Sequence, residues 1–531
     1  MDITTRFASV VEWLGKCVQE KNASHHECFR IQVPGFPSRL IDLKDYLTSG
    51  SVRLVETQGW QPPLPEYTTL SHCWGPPDGP RTLRTTLSNL EAHKIRIFKG
   101  ELPATFRDAI EITLRVGISF IWIDSLAIIQ DDQQDWESEA ANMAAIYENS
   151  FLTIAATSSE NCMGGCDLEP WCQDIVKATA TTGSKRYHQP ILSNTSYYLK
   201  LKNTSTSWKN KLTRIPLHTR GWTLQEAILS RRVLHMSTHH MLWHCRSVFD
   251  QEDVDAKKKW ERSAIGFLWN ELGDSAHHQS FWDATSQKYS TMLFTHISDR
   301  VPAIAGIIND HAVNVQNTPL LGLWKETLAQ DLSWYSRYPQ RARIPGVSTW
   351  TWLSHAGAIE LSLRVYRSET RLLLDSWDIQ WERQPYVSKL VTGVLNVSTK
   401  IIKAKTENFS YDKDTVRARF EALYAGKHVK VSLRCYPDTS ITDDRALDLD
   451  LTFMLLSTFE YSSADPPSML GYATFLMLHP SPDNPSAHVR LGLGEVHFFL
   501  EDSSAGEKFW KDTQVMDTLL EDWEDAKIQL C

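Results

Sequence analysis

Between residues 67 and 157 the chain switches back and forth between two hydrophobic periods, and this alternation limits its fold more than any other feature. Tyr67 to Ser71 reads as a short strand closed by the turn residues of GPPDGP. LPATFRDAIEITLRVG reads as a helix, with Phe106, Ile110 and Leu114 spaced by four, Pro103 suited to the first turn and Gly117 to termination. SFIWID follows as a buried strand. DQQDWESEAANMAAIYENS is a second helix carrying Trp136, Ala140, Met143 and Tyr147 on one face, and FLTIAATSS is a third strand. Strands separated by helices pair in parallel through right-handed crossovers. Residues 60–254 are therefore expected to form an α/β domain on a parallel sheet. An insertion rich in Thr, Ser, Asn and Lys covers about 160–215, after which RGWTLQEAILSRRVLHMSTHHMLWHC supplies a short helix and two strand-like runs.

The flanks read differently. Residues 1–59 form a helix and a looped arm, with Phe7, Val10, Val11, Leu14 and Val18 sharing the helix's apolar face. Residues 255–350 read as largely helical, including VPAIAGIIND and LGLWKETLAQDLSW. From 351 to 531 the period becomes two, in RLLLDSWDIQWE, GVLNVSTKIIKAK, HVKVSLRCY, LTFMLLSTFEY, ATFLMLHP and EVHFFL, which predicts a mostly antiparallel β domain. A net charge of −9 argues against the broad cationic field that non-specific nucleic-acid or anionic-membrane binding needs. No apolar run reaches the ~18 residues of a membrane span, and the first residues lack a signal-peptide layout, so an intracellular, cytoplasmic location is expected. Nine cysteines suit reduced thiols better than a disulfide framework, and most of the 20 tryptophans are expected in the core.

Ligands of open parallel sheets bind outside the carboxyl ends of the strands. Three segments are expected there: His72, Cys73 and Trp74; Asp124 and the loop to Asp135; and Thr157 with Ser158. Asp131 or Asp132 is suited to cap the helix that begins near Gln133, whereas Asp124 stands before any expected helix start. Thr223 and Glu226 have capping-box spacing. In the same stretch Arg220 could meet a carboxylate or phosphate, Trp222 could stack on a ring and Glu226 could act as a base, so both readings stand. Cys17, His25, His26 and Cys28 contain metal-ligand types at no standard zinc spacing, as do Cys162, Cys166 and Cys172; no metal is expected. His72 and Cys73, adjacent in a strand, point to opposite faces and cannot form a dyad, and Cys73 and Cys245 read as small buried residues. There is no glycine-rich phosphate loop and no serine nucleophile elbow.

YTTLSHCWG, TFRDAIEI, FIWIDSLAIIQDDQQDWESEAANMAAIYENSFLTIAAT and RGWTLQEAILSRRVL, in this order and at these separations, resemble the heterokaryon incompatibility (HET) domain of filamentous fungi. The later pieces LFTHISDRVPAIAGI, LGLWKETLAQDLSW and VSTWTWLSHAG are similar to the usual continuation. One departure is Ala127, where the family's WIDxLCIxQ block generally has cysteine. The resemblance implies a fungal protein of non-self recognition that triggers programmed cell death, working through self-assembly or another incompatibility protein. It also implies a fold similar to Toll/interleukin-1-receptor (TIR) domains, a flavodoxin-like sheet, some members of which cleave NAD with a glutamate. On that analogy Glu226, Glu139 and Asp124 are the catalytic candidates. His72, Trp74, Gln130, Asp131, Asp132, Asp135, Arg220, Trp222 and Gln225 are the ligand-binding candidates. NAD would be a substrate rather than a resident cofactor, and no block is by itself an NAD-binding signature. A further alternative is an enzyme of fungal specialised metabolism. Asp131, Asp132 and Asp135 are similar to the DDxxE-type motif of arginine-containing cyclodipeptide synthases, which use aminoacyl-tRNA. Asp135 in place of Glu, and the net charge, rank that reading lower.

Overall fold

A computed structural model describes residues 3–19, 25, 28, 33–76, 78–79, 82–166, 175–179, 196–200, 216–237, 241–251, 278–336, 338, 343–362, 368–405, 410–412, 415–424, 427–438, 450–460, 469–500, 516 and 520–531. The chain divides into two units, Met1–Gly273 and Asp274–Cys531.

The first unit is organised by a nine-stranded sheet among the described residues. Its elements are α1 (Ile3–Val18), β1 (Arg39–Asp42), β2 (Ser51–Glu56), β3 (Thr68–Ser71), β4 (Ile97–Phe98), α2 (Ala104–Arg115), β5 (Phe120–Trp122), α3 (Gln133–Asn149), β6 (Leu152–Ala156), α4 (Gly221–Leu229), β7 (Arg232–Met236), β8 (Met241–Cys245) and β9 (Phe249–Gln251). The spatial order is β9-β8-β7-β6-β3-β5-β1-β2-β4. The central run β7-β6-β3-β5 is parallel, as the alternation requires. Both flanks are antiparallel, because β1–β2 and β7–β8 are joined by links too short for a crossover. The sheet is therefore mixed where a parallel one was expected, and the arm before residue 60 supplies β1 and β2.

Alternation of side chains sends each strand's residues to two separate cores. Leu70, Ile121, Ile123, Leu152 and Ile154 meet Phe106, Ala109 and Ile110 of α2 and the apolar face of α1. Trp122 and Tyr67 meet Met143, Ile146 and Tyr147 of α3 on the other side. Gly117, at φ 84°, occupies the left-handed region that ends α2, and Pro103 caps its start. The buried face of α1 differs from the expected one: Phe7, Val10, Trp13, Leu14 and Cys17 are buried, while Val11 and Val18 are exposed. Trp13 stacks on Trp243 of β8 at 6.2 Å, and this large ring turns the helix.

In the second unit, helices His278–Ser290 and Ala305–Val315 precede the β region. LGLWKETLAQDLSW, expected as helix, instead folds into the short strands Leu323–Trp324 and Trp334–Tyr335 around a single helical turn, Leu328–Asp331. Its apolar residues Leu323, Trp324, Leu328, Leu332 and Trp334 are all buried, so they line no single helical stripe. Among the described residues the period-two segments form a ten-stranded, mostly antiparallel sheet. Within it Leu390–Lys405, Asp450–Glu460, Met469–Pro480, His488–Leu500 and Glu524–Leu530 pair in a closed circuit, shut by one parallel bridge between His488 and Leu530. Trp282, Trp324, Trp334, Trp350 and Trp352 are fully buried in this unit.

Candidate functional site

β3 and β5 end side by side, and the residues leaving them carry the first polar groups beyond the core. His72, directly after β3, is fully buried, packs edge-on against Phe106 at 5.1 Å, and has no hydrogen-bond partner on either ring nitrogen. Its Nδ1 lies 3.8 Å from Asp124 Oδ1, and the Trp74 indole donates to Asp124 Oδ2 at 2.9 Å. Asp124 is the first residue of a single helical turn, Asp124–Ala127, and also accepts from the Ser125 backbone N–H at 2.7 Å. One-fifth of its side chain reaches solvent.

On the other face of β3, Ser71 donates its hydroxyl to the carboxylate of Glu226 in α4. The Tyr147 hydroxyl is within hydrogen-bonding reach of the Leu70 carbonyl, at 3.3 Å, and of Glu226. Arg220, at the start of α4, donates to the His72 carbonyl and so ties the helix to the strand end.

Burial governs the electrostatics. It pushes the Glu226 carboxyl up to about 7; the Ser71 hydroxyl pulls back and the neighbouring Asp124 charge adds to the rise. Asp124 is pushed up to about 6 by burial, opposed by Arg220, the Ser125 N–H and Trp74. His72 is held down to about 3 by burial and by the Arg220 charge, so it is neutral at pH 7. The strand ends thus present a neutral imidazole, two carboxyls that titrate near neutrality and one guanidinium. Such a set can exchange protons or receive a polar ligand.

The capping-box reading of Glu226 fails. Arg220 occupies the cap position, and the Thr223 hydroxyl donates to the carbonyls of Leu217 at 2.7 Å and Arg220 at 2.8 Å. The helix starts three residues earlier than that reading needs, so Glu226 lies inside it and reaches across to Ser71.

The acidic run is occupied elsewhere. Asp131 accepts from the Leu87 backbone N–H at 2.8 Å and braces a loop. Asp132 caps α3, accepting from the backbone N–H groups of Gln134 and Asp135. Asp135 pairs with Arg39 at 2.5 Å and accepts from the Ile129 N–H at 2.7 Å. Gln130 donates to the carbonyls of Asp124 and Ile128, both at 3.1 Å, shaping the loop beneath Asp124. Trp222 packs edge-on against Trp136 at 6.4 Å, and Gln225 is buried in α4. Glu139 is apart from the strand-end group: it accepts from the Ser38 hydroxyl, near Arg39 and Asp135, and burial raises its pKa. Thr157 hydrogen-bonds the Ala155 carbonyl at 3.0 Å, after β6.

Cys73 is a small buried residue packed with Ala155, Leu217 and Val233, as expected. Cys162 and Cys166 lie in the apolar core beside α2. His26, Cys172, His239 and His240 lie outside the described residues. Cys17, His25 and Cys28 meet Cys245, with their ligand atoms all within 4.8 Å of one another. Spacing could not join residues so far apart. Sequence reasoning also missed Ser71, and it gave Tyr147 only a packing role; the sole available signal was that Ser71 alternates with Leu70, which turns it toward α3 and α4.

These features define an α/β domain whose parallel strands end in a buried, partly titrating polar cluster. Residues 67–226 match the family model described as Heterokaryon incompatibility protein (HET). The match runs from Tyr67, one residue before β3, to Glu226. This stretch of the chain is a heterokaryon incompatibility domain by that match. No curated protein and no solved structure matches it.

Proposed function

We propose that this protein acts in fungal non-self recognition and triggers programmed cell death through its α/β domain. One observation carries the reading: Ser71 at the end of β3 and Glu226 within α4, 155 positions apart in the chain, are joined by a direct hydrogen bond beside Asp124 and Arg220. The HET match spans the same blocks. Induced expression in a yeast host tests it. Wild-type protein is expected to arrest growth, and Asp124→Asn or Glu226→Gln to relieve the arrest at equal abundance. Unimpaired growth at high wild-type levels would overturn the proposal.

A second reading, N-glycosidase action on NAD, draws on two features. Taken in chain order, the parallel strands stand in space as 2-1-3-4, an order in keeping with flavodoxin-like sheets, whose ligands sit where the order reverses. Glu226 is near that reversal, through Ser71 of β3, and Glu139 is not. A carboxyl titrating at about 7 is half ionised at neutral pH and can stabilise the positive charge that develops as a glycosidic bond to nicotinamide breaks. Nicotinamide release from NAD by soluble protein, lost in Glu226→Gln and kept in Glu139→Gln, is the expected result. No release at concentrations high enough for self-assembly discards this reading.

A further inference from the structure

We propose that Cys17, His25, Cys28 and Cys245 bind one structural zinc ion that fastens the N-terminal segment to the outer hairpin of the sheet. The four residues come from three places in the chain. Cys17 lies in the last turn of α1, His25 and Cys28 in the segment that follows, and Cys245 at the end of β8. All four are buried. The His25 Nδ1 atom lies 3.5 Å from Cys245 Sγ and 3.8 Å from Cys28 Sγ. A tetrahedral zinc with Zn–S of about 2.3 Å and Zn–N of about 2.0–2.1 Å places its sulfur and nitrogen ligands about 3.5–3.6 Å apart, and its sulfurs about 3.8 Å apart. The two nitrogen–sulfur separations fit this tetrahedron to within a few tenths of an ångström, and all four ligand atoms lie within 4.8 Å of one another. The three cysteines are free thiols, not disulfide partners.

The surroundings fit a metal better than they fit apolar packing. A thiol that merely fills space needs no polar neighbour, yet Arg232 Nε donates to Cys17 Sγ at 3.1 Å and Ser247 Oγ lies 3.5 Å from Cys28 Sγ. Three thiolates around a divalent ion leave one net negative charge, and a buried arginine donating to a ligand sulfur offsets it. Three sulfurs and one imidazole nitrogen in a tetrahedron select zinc among the common divalent ions. Every tetrahedral position has a protein ligand, so no position is open for substrate, and the ion's role is structural. The stacked pair Trp13 and Trp243 marks the same seam between α1 and β8. The ion would lock a joint that packing alone begins.

The full-length chain, purified without chelator and dialysed against metal-free buffer, is expected to carry one zinc per chain by elemental mass spectrometry. Cys17→Ser, Cys28→Ser and Cys245→Ser should each lower the zinc content severalfold, while Cys73→Ser, away from the cluster, should leave it unchanged. Misfolding of a variant is separated from loss of the site by a measurement on the wild-type chain. The reduced, chelator-stripped protein titrated with cobalt(II) should develop the visible and thiolate charge-transfer bands of a tetrahedral sulfur site, saturating at one equivalent and bleached by zinc. Chelation should also lower the unfolding temperature. Substoichiometric zinc together with featureless cobalt spectra would overturn the proposal. So would zinc retained in all three serine variants, or an intact mass showing the cluster's cysteines paired as a disulfide in freshly purified protein.

Discussion

Two groups of buried acids, one in each unit, are handled in opposite ways. In the second unit Asp438 is fully enclosed and receives two arginines directly, Arg490 at 2.9 Å and Arg343 at 2.6 Å. Arg490 also lies 3.6 Å over the Trp334 ring and donates to the Leu332 carbonyl at 2.7 Å. Burial by itself would raise the Asp438 pKa, but the two guanidinium groups override it and hold the carboxylate below its ordinary range. In the first unit Asp124 and Glu226 receive hydroxyl, indole and amide donors, while the nearby Arg220 donates to a backbone carbonyl. Burial then prevails and both acids titrate near neutrality. A carboxylate fixed by two cations is a brace, and one left without a bonded cation keeps a mobile proton. Asp331 sharpens the distinction. It too is pushed up to about 7 by burial, yet Trp324 N–H, the Thr327 hydroxyl and Gln279 all donate to it, and it ends the helical turn Leu328–Asp331 rather than meeting the end of a parallel strand. A raised pKa is therefore not enough; position at the carboxyl ends of the parallel strands is what singles out Asp124 and Glu226.

The largest expected effect comes from breaking the brace. Asp438→Asn leaves two arginines without their anion, one of them fully buried, and should destabilise the second unit by about 3–5 kcal/mol in urea unfolding. A loss below about 1 kcal/mol would mean the cluster is open to water. Glu226→Gln should act in the other direction. The folded state raises this pKa from 4.5 to about 7, so the group's contribution to stability is greatest below pH 4.5 and is lost as pH rises to about 7. Glutamine, which stays neutral, should thus stabilise the first unit by up to about 3 kcal/mol at pH 8 and by little at pH 4. Asp438 has the opposite slope: its contribution is present above 3.8 and lost as pH falls through its lowered value. Asp331 gives the second unit a similar gain as pH falls through about 7, so the contrast is read in variants: Glu226→Gln should weaken the first unit's gain between pH 8 and 4.5, Asp438→Asn should remove the second unit's loss at the acid end, and curves changed by neither would erase the contrast. Smaller effects should come from the acidic run. Asp132→Ala removes the cap of α3 and should cost about 1 kcal/mol in denaturant unfolding. Asp131→Ala, at an exposed loop brace, should cost less than about 1 kcal/mol by the same measurement.

The α/β order was legible in the sequence because helices with a 3.6-residue apolar spacing alternate with short apolar runs bounded by turn residues, and those runs became strands buried on both faces. The runs after residue 368 became strands, as their period of two predicts. Asp132 as the cap of α3 was legible because capping is local. What escaped was non-local. The rotation of α1 depends on Trp13 meeting Trp243, 230 positions away in the numbering. Whether Glu226 caps its own helix or bonds Ser71 depends on where that helix starts, a matter of three residues that periodicity does not resolve. The acidic run looked like one feature, yet a loop brace, a helix cap and a partner for Arg39 are three unrelated tasks, each set by what the fold places opposite.

The ring of strands in the second unit sets a condition on synthesis. Leu395 to Ile401 pair with Glu524 to Leu530, so the ring stays open until some 129 further residues have been made, on the order of 10 s at a typical translation rate. During that interval the strand's free edge is an unmatched template, which a neighbouring chain on the same messenger could capture. Ribosome pausing in this interval should therefore favour entangled, co-assembled chains over monomeric ones.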